Sequence, residues 1–161
     1  MNKRKAYQLT LPKKRMSVGC LFFDNNGRLL IVNPTYKKPW EIPGGTVETN
    51  ESPREALIRE VAEELGLDCQ PGRLLCIDYS SENVRRTESL QLIFDGGSLS
   101  KKQITRIRLP YDELSEYRFV NTKKGLRKLN PKLRRRVQHC LKVLSGEATA
   151  VYLEEQTVIR D

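Results

Sequence analysis

The sequence lacks any apolar run that approaches the ~20 residues needed to cross a membrane, and it lacks the apolar core of a signal peptide. Residues 1–16 are basic rather than hydrophobic. We therefore expect a cytoplasmic protein with no membrane partner. Residues 1–16 form a basic N-terminal extension in this interpretation.

Paired cysteines and multiple histidines are also missing. The four cysteines are scattered without a CxxC pair, and Cys20 and Cys76 lie inside apolar runs. This usage predicts reduced core thiols rather than disulfides or zinc ligands. The only histidine, His139, lies in a basic segment, and we expect no catalytic role for it.

The composition fits a globular protein with anionic partners. Hydrophobic residues make up 38% of the 161 residues, charged residues 30%, and the formal net charge is +9. A positive balance favours phosphates, nucleotides or nucleic acid as partners, although it also serves solubility alone. The length suits one domain with a sizeable core, which we assign to residues 1–161.

Hydrophobic patterns and turn residues predict the elements of a mixed α+β fold. The predicted strands are 17–24, 28–33, 40–43, 72–80, 88–95, 103–109 and 116–120, with turns at 25–27 and 95–97. Helices are predicted from Ser52 to Gly66 and at 130–145. The segment 146–161 is expected to form a C-terminal hairpin from strands 150–153 and 157–159. Strands before and after a central helix indicate a mixed sheet flanked by helices.

The central helix has clear start and stop signals. Ser52 and Glu55 form a capping-box pattern around Pro53, and Gly66 supplies a left-handed stop. An aliphatic stripe predicts the buried face; its members are Leu57, Ile58, Val61 and Leu65.

Three glutamates share another face of this helix. Glu60, Glu63 and Glu64 have the i, i+3, i+4 spacing that places side chains together. Hard divalent cations prefer such carboxylate oxygens and keep open positions for phosphate and water. Taken alone, the cluster favours a solvated acidic face, and the residues around it reverse that preference. Arg59 can pair with Glu51 and fix the preceding loop, or form an ordinary surface ion pair.

The whole segment resembles the Nudix box, G-x5-E-x7-R-E-U-x-E-E-x-G-U with U aliphatic. The segment matches every fixed position of this pattern: Gly45, Glu51, Arg59, Glu60, Val61, Glu63, Glu64, Gly66 and Leu67. A strand–turn–strand unit and the sequence WEIPGG precede it. The resemblance covers about residues 17–145.

The resemblance implies an α/β/α sandwich and hydrolysis of a nucleoside diphosphate linked to another moiety. It implies Mg²⁺ or Mn²⁺ as cofactor. Its catalytic and metal residues would be Glu60, Glu63 and Glu64, the Gly44 carbonyl as a further metal ligand, and Glu51 with Arg59 as the pair that holds loop and helix in register. The general base is open: Glu64 is the first candidate, and Glu113 or Glu116 could supply an extra carboxylate.

Residues outside the box are expected to choose the substrate. Tyr36 could stack on a base, and Trp40 is expected to pack in the core instead. The cations that could meet phosphates are Lys37, Lys38, Arg85 and Arg86.

Three functions remain open from the sequence. The leading one is hydrolysis of a nucleoside triphosphate or nucleotide sugar. Removal of pyrophosphate from RNA 5′ ends is a second, motivated by the basic helix 130–145 and the basic N-terminus. A non-catalytic nucleotide-sensing module is the third, although such modules typically lose box glutamates. A homodimer is also left open.

Overall fold

A computed structural model describes residues 2–158. Its helices are α1 (Lys3–Thr10), α2 (Pro53–Leu65), α3 (Lys101–Ile104) and α4 (Pro131–Leu144), with a short 3₁₀ helix at Gly125–Lys128. Its strands are β1 (Arg15–Phe23), β2 (Leu29–Pro34), β3 (Leu74–Ser80), β4 (Ser89–Ser98), β5 (Leu114–Val120), β6 (Val151–Glu154) and β7 (Thr157–Val158).

The strands form one seven-stranded mixed sheet in the order β5-β2-β1-β4-β3-β6-β7. β1 runs parallel to β4, and β3 runs parallel to β6. The other neighbours are antiparallel. The predicted mixed sheet flanked by helices is therefore confirmed.

The two faces of the sheet carry separate cores because strand side chains alternate. On one face Cys20 and Phe22 pack with α2 residues such as Leu57. On the other face Leu21 packs with α4 residues such as Val137. The sheet thus lies between α2 and α4, which places the two helices on opposite sides.

The helix signals in the sequence correspond to the observed caps. Ser52 accepts the Glu55 N–H, and Glu55 accepts the Ser52 N–H, which completes the capping box. Gly66 ends α2 in the left-handed conformation, with φ 65°. Asn130 caps α4 by accepting the Leu133 N–H at 2.9 Å. The predicted boundaries of both helices are confirmed.

The predicted strand at 103–109 is wrong. Ser100 caps α3 through a second capping box, with Gln103 as its partner, so the chain turns as a helix there. Ile107 is buried against the same core as α2, and the Arg108 N–H donates to the Leu65 carbonyl. The apolar residues of 103–109 are therefore explained by packing against α2 rather than by strand pairing.

Other predicted boundaries also shift. Residues 95–97 are not a turn: they lie within β4, where a bulge places Gly97 opposite Phe22 and leaves Gly96 unpaired with β1. The segment 40–43 forms two isolated bridges, through Trp40 and Glu41, rather than a strand.

The two ends of the chain add further differences. The extension 1–16 contains α1 and the first residues of β1. The closing hairpin is confirmed as β6 and β7, while Ile159, predicted as its last strand residue, lies outside the described residues.

The four cysteines are free and buried, as predicted. The Cys140 thiol lies 3.4 Å from that of Cys76. A hydrogen bond with Cys69 and burial raise the pKa of the Cys20 thiol well above its usual range. No helix within residues 2–158 is long and apolar enough to span a membrane.

Candidate functional site

The loop before α2 is held against β1 by its backbone. The Val18 N–H donates to the Gly45 carbonyl and the Cys20 N–H to the Pro43 carbonyl, both at 2.9 Å. The intervening Gly44 has φ 140°, a conformation that side chains rarely adopt. Among residues 2–158, nothing donates a hydrogen bond to its carbonyl oxygen. The predicted metal-ligand atom is thus available for another partner.

The loop also contacts two of the box glutamates. The Gly44 N–H donates to Glu64 Oε2 at 2.8 Å. A Cβ placed on Gly45 would collide with the Glu60 carboxylate. The loop and the carboxylates of α2 are therefore in direct contact, and the two glycines permit that approach.

Arg59 connects the loop to the acidic face of α2. Its Nε and Nη2 donate to the two carboxylate oxygens of Glu51, at 2.9 and 3.0 Å. Its Nη1 donates to Glu60 at 2.9 Å and Glu63 at 3.1 Å, and Nη2 also donates to the Thr46 carbonyl. The hydrogen bonds from Arg59 lower the pKa of Glu51. The Arg59–Glu51 contact is the predicted pair between loop and helix, and it is bidentate.

The three box glutamates lie in different environments. The Glu63 side chain is 57% exposed, whereas that of Glu60 is 16% exposed. Burial raises the pKa of Glu60, although Arg59 opposes the rise. Burial also raises the pKa of Glu64 to about 8, against the hydrogen bond from Gly44 and with repulsion from Glu60, Glu41 and Glu113. The sequence pattern places the residues, while these differences arise only from the fold.

The donor set fits a hard divalent cation. Within residues 2–158, no three carboxylate, thiol or imidazole groups converge into a ready-made cage. The half-buried carboxylate of Glu60 nevertheless repels the buried carboxylate of Glu64, and a cation would relieve that repulsion. Oxygen donors that leave part of the shell to water suit Mg²⁺ or Mn²⁺. Glu63, which is exposed, has room to join them.

The additional predicted carboxylates behave differently. Glu113 lies close enough to raise the pKa of both Glu60 and Glu64 by repulsion. Glu116 instead forms an ion pair with Arg118 at 2.9 Å. Glu113 is thus within electrostatic range of the acidic cluster, whereas Glu116 has a different partner.

A cavity of about 680 Å³ extends from this loop across β1, β4 and β3 to α4. Gly44, Gly45 and Glu41 line its loop end, while Ser80 and Arg136 line the far end. Four of the predicted substrate residues line it: Tyr36, Lys37, Arg85 and Arg86. Lys38 is exposed and does not line it. Trp40 is 8% exposed and belongs to the core, as expected.

A family model described as the NUDIX domain matches residues 13–140. The chain belongs to the NUDIX domain family. The match includes the loop, the whole of α2 and every residue that lines the cavity. The segment 45–67 is called the NUDIX segment below.

The NUDIX chain is similar to proteins of differing names. It is 34% identical over 87 residues to diphosphoinositol polyphosphate phosphohydrolase 2 of Mus musculus, covering 53% of this chain and 49% of that protein. It is 39% identical over 54 residues to an RNA pyrophosphohydrolase of Marinomonas sp., covering 34% of each chain. The chain spans about half the length, or less, of these curated relatives.

The fold is shared with solved structures. A MutT protein from Methanosarcina mazei Go1 superposes with a TM-score of 0.69 at 26% identity, covering 83% of this chain and 97% of the other.

Sequence reasoning missed several residues of the cavity. Arg15, Lys132 and Arg136 line it, and buried Asp78 lies behind Arg136. They come from β1, α4 and β3, which are far apart in the chain. The basic composition of the helix 130–145 and of residues 1–16 was the available sequence signal.

Proposed function

We propose that the chain is a divalent-metal-dependent pyrophosphohydrolase. Its substrate would be a nucleoside diphosphate linked to another moiety, with nucleoside triphosphates and nucleotide sugars as the first candidates. The observation that supports this most is the contact between the Gly44–Gly45 loop and the Glu60 and Glu64 carboxylates. The loop also lines one end of a cavity of about 680 Å³, a volume that suits a nucleotide-sized ligand.

Glu60, Glu63 and Glu64 would hold Mg²⁺ or Mn²⁺, together with the Gly44 carbonyl. When bound, the ion supplies positive charge to the phosphates and makes a water more acidic. Arg59 keeps Glu60 and Glu63 oriented, and it ties Glu51 to the same helix. The chain thus contributes a preorganised set of oxygen donors.

Glu64 is our first candidate for the general base. Its Oε2 accepts the Gly44 N–H, which leaves Oε1 to take the proton of the attacking water. Glu113 is the alternative because it lies within electrostatic range of Glu60 and Glu64. In that case the water proton would be transferred to Glu113, next to the start of β5.

A substrate panel with product identification tests the proposal. Nucleoside triphosphates, dinucleotides, nucleotide sugars and 5′-triphosphate RNA are each incubated with Mg²⁺, with Mn²⁺ and with EDTA. We expect hydrolysis of at least one anhydride only with metal. Glu64→Gln should lower turnover by at least a hundredfold, in the range of lost acid–base catalysis.

The matched control is Glu147→Gln, which removes an exposed carboxylate that bonds Ser145 on the loop after α4. It should retain wild-type turnover. Circular dichroism establishes that both variants are folded. Equal turnover in wild type and Glu64→Gln, or no hydrolysis of any panel member, contradicts the proposal.

A second candidate is removal of pyrophosphate from RNA 5′ ends. It is supported by a shallow basic surface beside α4, to which Lys123, Arg135 and Lys142 contribute. One relative is named an RNA pyrophosphohydrolase. A steep loss of RNA turnover with rising salt, absent for mononucleotides, would favour this candidate.

A further inference from the structure

The far end of the cavity has an excess of positive charge. Five of its lining residues there are cationic: Arg15, Arg85, Arg86, Lys132 and Arg136. Within residues 2–158, no ion pair engages Arg15, Arg85 or Arg86. Glu41 is the one acid that lines the cavity among these residues, and it pairs with Lys37 at 2.7 Å. The far end therefore favours an anion.

Arg136 is held in place from behind. The buried Asp78 carboxylate accepts from Arg136 Nε and also accepts the Gln156 backbone N–H at 3.0 Å and side-chain Nε2 at 3.2 Å. Arg136 Nη2 lies 3.4 Å from the Ser80 hydroxyl. Among the described residues Nη1 has no partner. A fixed guanidinium with a spare N–H edge is suited to a phosphate oxygen.

The turn of the β6–β7 hairpin supports the same wall. Glu155 and Gln156 both have positive φ, 47° and 62°, and their side chains contact residues of β3, α4 and the loop after β3. Glu155 Oε1 accepts from the Ser81 N–H at 2.6 Å and the Ser81 hydroxyl at 2.8 Å, and its Oε2 lies 3.4 Å from Lys132 Nζ. The turn thus fixes one loop residue and one cation of the wall.

The floor of this end is polar and lacks a stacking surface. The Ser80 hydroxyl donates to Gln91, and Gln91 Nε2 donates to the Ser89 hydroxyl. The aromatic side chain that lines the cavity in residues 2–158 is Tyr36, at the loop end and 72% exposed. A nucleobase would find no ring at the far end, whereas phosphate would find cations and hydroxyls.

We propose that the far wall is a second phosphate subsite, which binds phosphate groups on the part of the substrate that is not hydrolysed. The substrate class is then a small, densely phosphorylated diphosphate rather than one with an uncharged leaving group. This rests on the proposed function, since the cleaved anhydride would lie at the loop end. Arg85, Arg86, Lys132 and Arg136 determine the specificity; Asp78 positions Arg136, and Glu155 positions Lys132.

Metal-free binding tests the subsite apart from catalysis. The probe is inositol hexakisphosphate, which has dense phosphates and no anhydride, titrated by calorimetry in EDTA. We expect the wild type and Glu64→Gln to bind it alike. The double variant Arg85→Gln with Arg86→Gln should bind at least tenfold more weakly. Because no metal or turnover is involved, failure here is distinguishable from failure of the proposed hydrolysis.

The charge-matched control is Lys101→Gln with Lys102→Gln, two exposed cations on α3 that do not line the cavity. It should bind the probe as the wild type does. Equal weakening in both double variants would show a general charge effect and overturn the proposal. Tighter binding of a 5′-triphosphate RNA oligomer than of the probe, with no loss in Arg85→Gln and Arg86→Gln, would also overturn it.

Glu155→Gln tests the positioning role. We expect KM for NADP to rise severalfold while kcat stays near that of the wild type, with a smaller rise for NAD, which lacks the extra phosphate. A purely structural defect would alter both substrates equally. An equal change for NAD and NADP therefore counts against the subsite. If neither dinucleotide is hydrolysed, Glu155→Gln is titrated with inositol hexakisphosphate, and wild-type affinity counts against the positioning role.

Discussion

Gly44, just before the NUDIX segment, and Gly45, its first residue, have different structural roles. A Cβ on Gly45 would meet the tip of the Glu60 side chain, which can swing aside. A Cβ on Gly44 would meet the Val18 backbone, which cannot move without disturbing β1, and its φ of 140° is unfavourable for alanine. The first substitution should disturb the site and the second the fold.

We accordingly expect Gly45→Ala to lower metal-dependent turnover at least tenfold with little change in the free energy of unfolding. Gly44→Ala should lower that free energy by about 1–3 kcal/mol, the usual range for backbone strain at such a conformation. Urea unfolding and turnover of the best panel substrate measure the two effects. If Gly45→Ala proved the more destabilising of the two, the contact with Glu60 would not be the reason for the glycine.

At the residue scale, short-range relations were predictable and long-range ones were not. Glu51 and Arg59 are eight positions apart, and the pattern that contains them predicts their contact. Arg136 and Asp78 are 58 positions apart, on α4 and β3. No local spacing relates them, because their contact depends on how α4 packs on the sheet.

The β1–β2 hairpin depends on one buried carboxylate. Asp24 accepts the backbone N–H groups of Asn26 and Arg28, at 3.0 and 2.9 Å, and the Arg28 Nε at 2.7 Å. Burial pushes its pKa upward, but these hydrogen bonds outweigh burial and leave the pKa below its usual range. The folded hairpin thus favours the ionised form.

The sign of the pH effect follows from linkage. The folded protein binds fewer protons at Asp24 than the unfolded chain, so the contribution is complete above the unfolded pKa of about 3.9 and is lost as pH falls through the folded pKa. We expect Asp24→Asn to lose less stability than the wild type between about pH 5 and pH 2. Denaturant unfolding across that range measures it.

The control for Asp24 is Asp68→Asn, which removes an exposed carboxylate on the loop after α2. It should keep the wild-type slope of stability against pH. The same slope in wild type and Asp24→Asn would show that Asp24 has no special share in acid unfolding.

Helices whose ends carry recognised capping residues were predicted well, whereas the segment 103–109 was not. The caps at Ser52 and Asn130 defined α2 and α4 almost to the residue. For 103–109, the apolar residues predict a strand, whereas Ser100 and Gln103 form a capping box that begins a helix. Local hydrogen bonding decided the element there, and packing against α2 accounts for the hydrophobicity.

Metal binding should be visible in the stability of the whole molecule. A ligand that binds only the folded state stabilises it by about 2.7 kcal/mol at a hundredfold excess over its Kd. For a chain of this length, that corresponds to a rise in Tm of about 5–10 °C. We expect this rise with Mg²⁺ or Mn²⁺ and its reversal by EDTA.

The double variant Glu60→Gln with Glu64→Gln should lose most of that rise, while Glu147→Gln should keep it. Differential scanning calorimetry at fixed protein concentration makes the comparison. A rise of equal size in the double variant would place the ion somewhere other than the acidic face of α2.

The mixed sheet between two helices was predictable as a class, since the order of strands and helices limits the layers. The strand order was not, because β1 pairs in parallel with β4 and β3 in parallel with β6, across long connections. The cavity lies across this order, so its walls could not be assembled from the sequence.

The β6–β7 hairpin lies beyond residue 140, where the match to the family model ends, yet its turn braces Ser81 and Lys132 in the cavity wall. The cations of the proposed phosphate subsite lie inside the family match, and only the turn that braces Ser81 and Lys132 lies outside it. Evolution or protein engineering could replace the β6–β7 hairpin and so alter which diphosphates bind. The glutamates on α2 would be unchanged.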